Sequence, residues 1–536
     1  MQRVFGDRNR IDLGSSEFRS FISQGSLYID KTMFIEHVLQ EASNVLLFTR
    51  PRRTGKSLNL DMLRTFLDCK QDTKYLFKEL YIEDSQVFEK INSYPVIYLN
   101  FKELRAENYK DKLNELIQKV TLCYLTDEQT NRWVSRCFEQ SAEDTGALRN
   151  LIENIHEAYG VKPFVLIDEY DKPLMDNISS SKYDNIRDWL KNIFESALKD
   201  NPHLEKGIMV GVTRVSQEGL LSGLNNLDVY DVFRASAFDG DFSLTEEEAV
   251  ELLGSGQLEA AREWYNNYRV GSKKLYTMYS VLTYIKNGEL GNYWGMSGSM
   301  EMLIDALTPE RTDAITNLIA SGSEIETQIE RRLSLRLLRN MDIDDDSYYS
   351  FAIQTGYLTY EKLADIKTFR VFLPNKELRE VWESFILRNV LKNKHRNLRE
   401  IFKNIAATEE FSHNFQDFVS FQLSSYDIGK ELEKTYHVLV FGLILGAGFK
   451  CNSNRERGYG RYDLWLEGPE FNVIIEFKKA RKDTEDLEDL ATAAIAQIDK
   501  RKYYAKFPDS KPLYKVGVGC YKSECAVETV LHEFDA

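Results

Sequence analysis

Gly460-Arg461-Tyr462-Asp463-Leu464-Trp465-Leu466 and, a short turn later, Asn472-Val473-Ile474-Ile475-Glu476-Phe477-Lys478 alternate like two strands around Gly468 and Pro469. The pattern puts Asp463 near one strand and Glu476 with Lys478 on its partner. Period two aims Glu476 and Lys478 at one face and turns Phe477 toward packing on the other. Two carboxylates and an ammonium brought together suit phosphodiester hydrolysis. The carboxylates hold Mg²⁺, a hard ion that prefers oxygen ligands, and the ion polarises the phosphoryl group and lowers the pKa of an attacking water. Lys478 would orient that water or offset developing charge. The bland alternative is a solvated hairpin carrying ordinary surface charges.

Helices are expected on both sides of this hairpin. Glu433 to Gly446 is apolar, with Glu433 and His437 four apart on one face, and Leu490 to Tyr504 carries Gln497, Arg501 and Tyr504 on a shared face. At Asp463 and Glu476-Phe477-Lys478 the chain resembles the PD-(D/E)XK nuclease superfamily. That resemblance implies a restriction-endonuclease-like α/β domain over residues 421–536. In it Asp463, Glu476 and Phe477 form the metal set, and Lys478 joins the two acids as a catalytic group. Glu433 is the candidate additional acid from the first helix, and Gln497 a site residue from the second. Related nucleases place a glutamine and a tyrosine four residues apart on that second helix. Here Arg501 stands at that spacing, which leaves Tyr504 without an assigned role.

A second site lies near the other end of the chain. Val45-Leu46-Leu47-Phe48 has the length of a buried strand and runs into Thr49-Arg50-Pro51-Arg52-Arg53-Thr54-Gly55-Lys56-Ser57, followed by a helical pattern from Leu58 to Leu67. This resembles a P-loop, whose backbone N–H groups and helix N-terminus cradle phosphate. The resemblance implies that Arg53, Thr54, Gly55, Lys56 and Ser57 hold the nucleotide, Lys56 on the outer phosphates and Ser57 on Mg²⁺. The departure is at the start, where the general pattern has glycine and this chain has Arg50; Pro51 also lacks a donor N–H. Phe164-Val165-Leu166-Ile167-Asp168-Glu169 resembles a Walker B strand, with Asp168 on the magnesium and Glu169 polarising the attacking water. Val96-Ile97-Tyr98-Leu99-Asn100-Phe101 and Ile208-Met209-Val210-Gly211-Val212-Thr213 supply further strands. Their order matches the additional-strand P-loop ATPases, which makes Thr213 the γ-phosphate sensor and Arg214 its helper.

Residues 1 to about 300 also resemble the bacterial AAA-ATPase-like proteins at Tyr28-Ile29-Asp30-Lys31-Thr32, the Arg50-to-Ser57 loop, Asp168-Glu169-Tyr170-Asp171-Lys172-Pro173 and Trp264-Tyr265-Asn266-Asn267-Tyr268. An arginine-rich loop without the first glycine is usual in that family, whose members commonly end in a PD-(D/E)XK domain. The expected fold class is α/β: an additional-strand, AAA-like P-loop ATPase core over residues 1–240, a helical lid over 241–300, a helical connecting region over 301–420 and the nuclease domain over 421–536. The implied chemistry is ATP hydrolysis and metal-dependent phosphodiester cleavage, with ATP and Mg²⁺ as cofactors. The implied partner is nucleic acid, DNA favoured over RNA, and the implied role is defence against foreign DNA or mobile-element processing. Such ATPases often complete their site with a neighbour's arginine, which adds a homo-oligomer to the expectations; Arg331 and Arg332 are adjacent, but nothing identifies either as that finger. Two alternatives compete: a nucleotide-dependent switch or scaffold that binds nucleic acid without cutting it, and an ATP-binding module with degenerate hydrolysis.

Length and composition fit several globular domains: 536 residues, 43% apolar and 29% charged. No run approaches 18 apolar residues and the first thirty lack a signal-peptide core, so the expectation is a cytoplasmic protein without a membrane span. Six cysteines show neither C-x-x-C spacing nor nearby histidine sets, which argues against zinc and a disulfide framework. The net charge of −15 argues against a polyanionic partner, but Arg455, Arg457, Arg461, Lys478, Lys479, Arg481 and Lys482 cluster around the proposed nuclease site. The acidic stretch Asp483 to Asp489 reads as the start of the next helix. Thr245-Glu246-Glu247-Glu248 predicts a capping box opening a helix from Glu247 to Leu253. Met300 to Arg339 has helical periodicity. Asp342-Ile343-Asp344-Asp345-Asp346 fails the EF-hand pattern, having Ser347 and Ile353 where glycine and glutamate are required, and reads as a helix-ending turn. His156, His203, His395, His413 and His532 have no partner legible from spacing.

Overall fold

The computed structural model describes residues 3–105, 107–125, 145–178, 180–214, 220–221, 223–294, 298–331, 343–363, 367–385, 395–424, 440–441, 444, 449–453, 456–457, 460–461, 463–468, 470–480, 482, 485–504, 511–521 and 524–532. The chain divides into two compact units, one of residues 1–306 with 326–378, the other of residues 307–325 with 379–536.

The first unit is built on five strands: β1 (Val45–Thr49), β2 (Val96–Asn100), β3 (Phe164–Asp168), β4 (Lys206–Gly211) and β5 (Leu227–Tyr230). They lie in the order β5-β1-β4-β3-β2 and every pairing is parallel. β1, β3 and β4 are buried along their whole length, as continuous apolar runs in a sheet covered on both faces must be. The insertion of β4 between β1 and β3 brings the carboxyl ends of three strands side by side, where open α/β sheets bind their ligands. Helix α1 (Lys56–Leu67) leaves β1 through Gly55, whose φ of 85° is a left-handed conformation that glycine adopts without strain. Phe34, Phe48, Phe66, Leu60 and Leu63 pack with the sheet in one core.

After the sheet come α2 (Glu246–Leu252), a helix Ser255–Tyr265, a short hairpin Tyr268–Val270 with Lys273–Leu275, and α3 (Met278–Asn287). The capping box is present: Glu248 N donates to Thr245 Oγ1 at 3.3 Å and Thr245 N to Glu248 at 2.8 Å. Helix α2 begins one residue earlier than its periodicity predicts.

The following region is not helical throughout. Ile325–Gln328, Thr359–Lys362 and Thr368–Phe372 form a three-stranded sheet, where only helices were expected. The helix Pro309–Ser321 stops at Gly322, in a left-handed C-cap, and Thr368–Phe372 alternates buried and half-buried residues at period two. The acidic run near 344 starts a helix instead of ending one: Asp344 accepts from Ser347 N at 2.8 Å and caps Asp345–Gln354. A carboxylate at an N-cap satisfies an orphan amide and meets the positive end of the helix. Helix α4 (Lys376–Phe385) begins in the first unit, which ends at Leu378, and finishes in the second.

The second unit contains α5 (Thr408–Ser424) and a sheet of β6 (Lys450–Ser453), β7 (Leu464–Glu467), β8 (Asn472–Lys479), β9 (Leu513–Tyr521) and β10 (Glu524–His532), in that order. Only β8 and β9 pair in parallel, and α6 (Leu487–Arg501) is the crossover between them. One face of the sheet, with Val473, Ile475 and Phe477, joins Phe411, Phe415 and Val419 of α5 in a core. The other face receives α6, and it can do so because Gly517 and Gly519 are bare. A Cβ on either would lie 2.1 Å from a carbonyl oxygen of α6, Ala491 or Leu487.

Candidate nucleotide and nuclease sites

At the carboxyl ends of β1, β3 and β4 is a cavity of ≈ 530 Å³, lined on its polar side by Arg52, Arg53, Gly55, Lys56, Ser57, Lys102, Glu169, Asp171 and Lys172 and on its apolar side by Leu13, Leu27, Ile29, Met278 and Leu282. Lys56 is folded back on its own loop, donating to the carbonyls of Pro51 at 2.7 Å and Arg50 at 3.1 Å. Burial pushes its ammonium down to about 8, against the pull of Asp171, Asp168 and Glu169. Asp168 is fully buried and is not among the residues that line the cavity. Its Oδ2 accepts from Asn100 at 3.2 Å and Tyr98 at 3.4 Å, whereas its Oδ1 has no hydrogen-bond partner. Glu169 stands in a left-handed backbone conformation with φ 53°, and its Oε2 is likewise buried without a partner. Burial raises both carboxyls above their ordinary range.

Buried carboxylate oxygens left unanswered are costly, so the group that belongs here is one that answers them. Magnesium nucleotide fits: hard oxygen donors from Asp168 and Ser57 suit Mg²⁺, and Lys56 with the loop amides suits phosphate.

The loop departs from the general pattern for a structural reason. Arg50, at the position of the first glycine, turns away from the cavity into the core and is 1% exposed. Its Nη1 donates to the carbonyls of Tyr230 (2.6 Å) and Thr49 (2.9 Å), and its guanidinium lies 5.3 Å from the Phe242 ring centroid. Burial lowers its pKa to about 10 even with Asp239, Asp231 and Asp241 nearby.

Thr213 and Arg214 do not line the cavity. The Thr213 hydroxyl donates to Asp171 at 2.9 Å, and Asp171 also accepts from the amides of Val212 and Thr213, at 3.0 and 2.8 Å. Arg214 lies 4.0 Å from Asp231. Thr54 Oγ1 is turned inward onto the Pro51 carbonyl at 2.9 Å. Asp171 and Lys172 stand in the Asp168-to-Pro173 motif but have no role legible from spacing; the signal was their position just past the strand end. Lys102, just past β2, was missed in the same way. The Tyr28-to-Thr32 motif lines the cavity through Tyr28, Ile29 and Lys31 and also braces the fold: Lys31, 4% exposed, pairs with Glu248 of α2 at 2.6 Å, and Asp30 accepts from the amides of Thr32 and Tyr81.

In the second unit, the register Leu464↔Ile475 sets Asp463 beside Glu476 and Phe477. Phe477 N donates to Asp463 Oδ2 at 2.8 Å and Asp463 N to Glu476 Oε2 at 3.2 Å, so each acid accepts from the opposite strand. Gln497 of α6 bridges Glu476 and Lys478: its amide N–H donates to Glu476 Oε1 and its carbonyl accepts from Lys478 Nζ. The Phe477 side chain is 1% exposed in the opposite core, so any ligand role falls to its main-chain carbonyl. Two carboxylates and a carbonyl are oxygen donors of the kind Mg²⁺ takes.

Tyr504 is not the aromatic residue at this site. Helix α6 ends at Arg501, Lys502 is left-handed (φ 47°), and the break brings Tyr503 Oη to 3.3 Å from Gln497 while the Tyr504 ring packs against His532. Glu433 and His437 lie outside the described residues, as do Arg455, Arg481 and the side chains of Arg457 and Arg461.

Residues 12–221 match the family described as Predicted AAA-ATPase, and residues 431–530 match the PD-(D/E)XK nuclease superfamily. The chain therefore carries an AAA-ATPase-like domain followed by a C-terminal PD-(D/E)XK nuclease superfamily domain. A protein of Azotobacter chroococcum mcd 1, described as an uncharacterized protein in the vnfD 5′ region, is 29% identical over 394 residues, which is 71% of this chain and 70% of that protein. A solved structure of the Aeropyrum pernix ORC2 protein aligns over 72% of this chain and 99% of its own at 13% identity, with a TM-score of 0.25. Among the described residues no helix is long and apolar enough to cross a membrane.

Proposed function

We propose that the protein is an ATP-regulated, Mg²⁺-dependent nuclease that cuts DNA in preference to RNA. The observation that carries the reading is the occurrence, in one chain, of a phosphate loop facing unanswered buried acids and an Asp463–Glu476–Lys478 cluster on a nuclease-superfamily sheet. At the second site Asp463, Glu476 and the Phe477 carbonyl would hold the ion, which when bound polarises the scissile phosphate and acidifies its water. Lys478, held by Gln497, places a cation where negative charge develops on the phosphoryl oxygens. At the first site Lys56 would exchange the Pro51 and Arg50 carbonyls for the outer phosphates, Ser57 and Asp168 would hold the ion, and Glu169 would orient the attacking water. A role in defence against foreign DNA or in mobile-element processing, a cytoplasmic setting and a homo-oligomeric assembly belong to the same proposal.

Cleavage of a panel of labelled DNA and RNA with Mg²⁺, with and without ATP, tests it on wild type, Asp463→Ala and Lys56→Ala. The expected result is cutting of DNA that disappears with Asp463→Ala and changes its ATP dependence with Lys56→Ala. Cutting unaffected by Asp463→Ala would remove the nuclease assignment. Nucleic-acid binding without cutting under every condition would replace it with a nucleotide-dependent switch.

A further inference from the structure

Arg53 belongs to the phosphate loop but spends its hydrogen bond elsewhere. Its backbone is left-handed (φ 62°), its guanidinium lies 4.2 Å from the centroid of Tyr279 on α3, and its Nη1 donates to the carbonyl of Tyr293. From the other side the same turn is held by a carboxylate far along the chain. Glu377 Oε1 accepts from the amides of Tyr293 (2.7 Å) and Trp294 (2.8 Å), and its two oxygens accept from the Ser280 hydroxyl at 2.9 and 3.0 Å. Glu377 is 0% exposed. These neutral donors hold it in place while burial lifts its carboxyl to about 7.

A second contact links the same parts. Gly356, at φ 88°, leaves no room for a side chain: a Cβ there would lie 2.8 Å from Pro51 of the loop and 2.9 Å from the Trp294 ring. Glu377 is in the first turn of α4, whose start is pinned by Asn375: its side chain accepts from Leu378 N at 3.1 Å and donates to the Asn266 carbonyl at 2.9 Å. The helix then continues out of the first unit, which ends at Leu378.

We propose that Arg53, the Tyr293–Trp294 turn and Glu377 form the readout of nucleotide binding, with Glu377 as a positioning residue that ties the phosphate loop to α4. This rests on the nucleotide-binding reading of the cavity and deepens it. A phosphate is a stronger partner for a guanidinium than a carbonyl is, so a bound nucleotide draws Arg53 off Tyr293. The turn, held from one side only, loosens its grip on Glu377 and on the first turn of α4. The coupling is reciprocal: weakening the Glu377 side frees Arg53 for phosphate.

The test is amide hydrogen exchange over residues 293–294 and 376–385, with and without a saturating non-hydrolysable ATP analogue. Wild type, Glu377→Ala and Glu377→Gln are compared, each at a concentration set from its own measured Kd. In wild type the analogue should speed exchange at both segments. Glu377→Ala should exchange fast there without the analogue, respond no further, and bind it about fivefold or more tightly. Glu377→Gln keeps an acceptor oxygen for the two amides and should stay close to wild type. Wild type that binds the analogue with unchanged exchange would overturn the readout alone, as would a full response or weaker binding in Glu377→Ala, the sign of a merely structural role. No binding by wild type would overturn the nucleotide reading of the cavity, and the readout with it.

Discussion

The two sites treat charge in opposite ways. At the nucleotide cavity, Asp168 Oδ1 and Glu169 Oε2 are buried without partners and Lys56 bends back to carbonyls of its own loop. At the hairpin of the second unit each charged group is answered: Asp463 and Glu476 accept from opposite strands, and Gln497 bridges Glu476 to Lys478. A site with unanswered buried charge is completed by its ligand, so ligand binding there adds directly to folding stability. A site whose charges are already answered holds its shape alone, and an incoming ion shares the carboxylates with hydrogen bonds already made. Under the proposed function, the difference suits a first site that senses and a second that waits.

The widest separation between the two should come from removing an acid. Asp463→Ala or Glu476→Ala is expected to lower DNA cleavage by about a thousandfold or more while leaving the Kd for nucleotide unchanged, measured on the same preparations. Next in size is a substitution that appears to repair the phosphate loop. Arg50→Gly restores the general pattern, yet it empties a fully buried position, drops the hydrogen bonds to the Tyr230 and Thr49 carbonyls and removes a cation that Asp239, Asp231 and Asp241 attract. It should destabilise the first unit by about 3–5 kcal/mol, read as a lower denaturation midpoint for that unit with the second unchanged. Lys56→Ala removes a charged phosphate donor and should weaken nucleotide binding by about 1.5–3 kcal/mol.

The pH dependence of nucleotide affinity sharpens the contrast further. In the free protein the Lys56 ammonium titrates at about 8, and a phosphate beside it raises that value. Below pH 8 the lysine is charged before and after binding, and affinity is flat. Above pH 8 binding must take up a proton, so the Kd should rise by up to about tenfold per pH unit until the pKa of the bound form is reached. A titration of Kd from pH 6.5 to 9.5 checks this, and Lys56→Met should abolish the slope.

The sequence made β1 to β4, β7 and β8 legible because continuous apolar runs and period-two alternation survive any tertiary context, whereas β5, β6, β9 and β10 were not read from it. It made the Asp463–Glu476 hairpin legible because the two acids are fixed by register. What it hid was set by backbone breaks and by contacts distant in sequence. The strand at Thr368–Phe372 and the N-cap at Asp344 were masked by a region of general helical periodicity. Arg50 read as a defect in a motif, because its partners lie on β5 and beyond, about 180 residues away. Asp171 was inside a quoted motif, yet its hold on Thr213 depends on the adjacency of β3 and β4, which spacing along the chain does not express.

Tyr503 gives the smallest expected effect and the finest discrimination. A helix continued through Tyr504 would put that residue near the face of Gln497, but α6 stops at Arg501 and the left-handed Lys502 rotates the chain so that Tyr503 arrives instead. Its hydroxyl, 3.3 Å from the Gln497 amide, helps hold the side chain that bridges Glu476 and Lys478. Tyr503→Phe removes that neutral hydrogen bond, worth about 0.5–1.5 kcal/mol, and keeps the ring that packs with Trp465, Ile474 and Ile498. Cleavage at saturating Mg²⁺ should fall severalfold with a stability loss no larger than that hydrogen bond, whereas Tyr504→Phe, whose ring packs against His532, should leave cleavage unchanged. Equal effects from the two substitutions would mean that Gln497 is held by its charged partners alone, and that the nuclease site is closed more firmly than its hydrogen bonds to α6 imply.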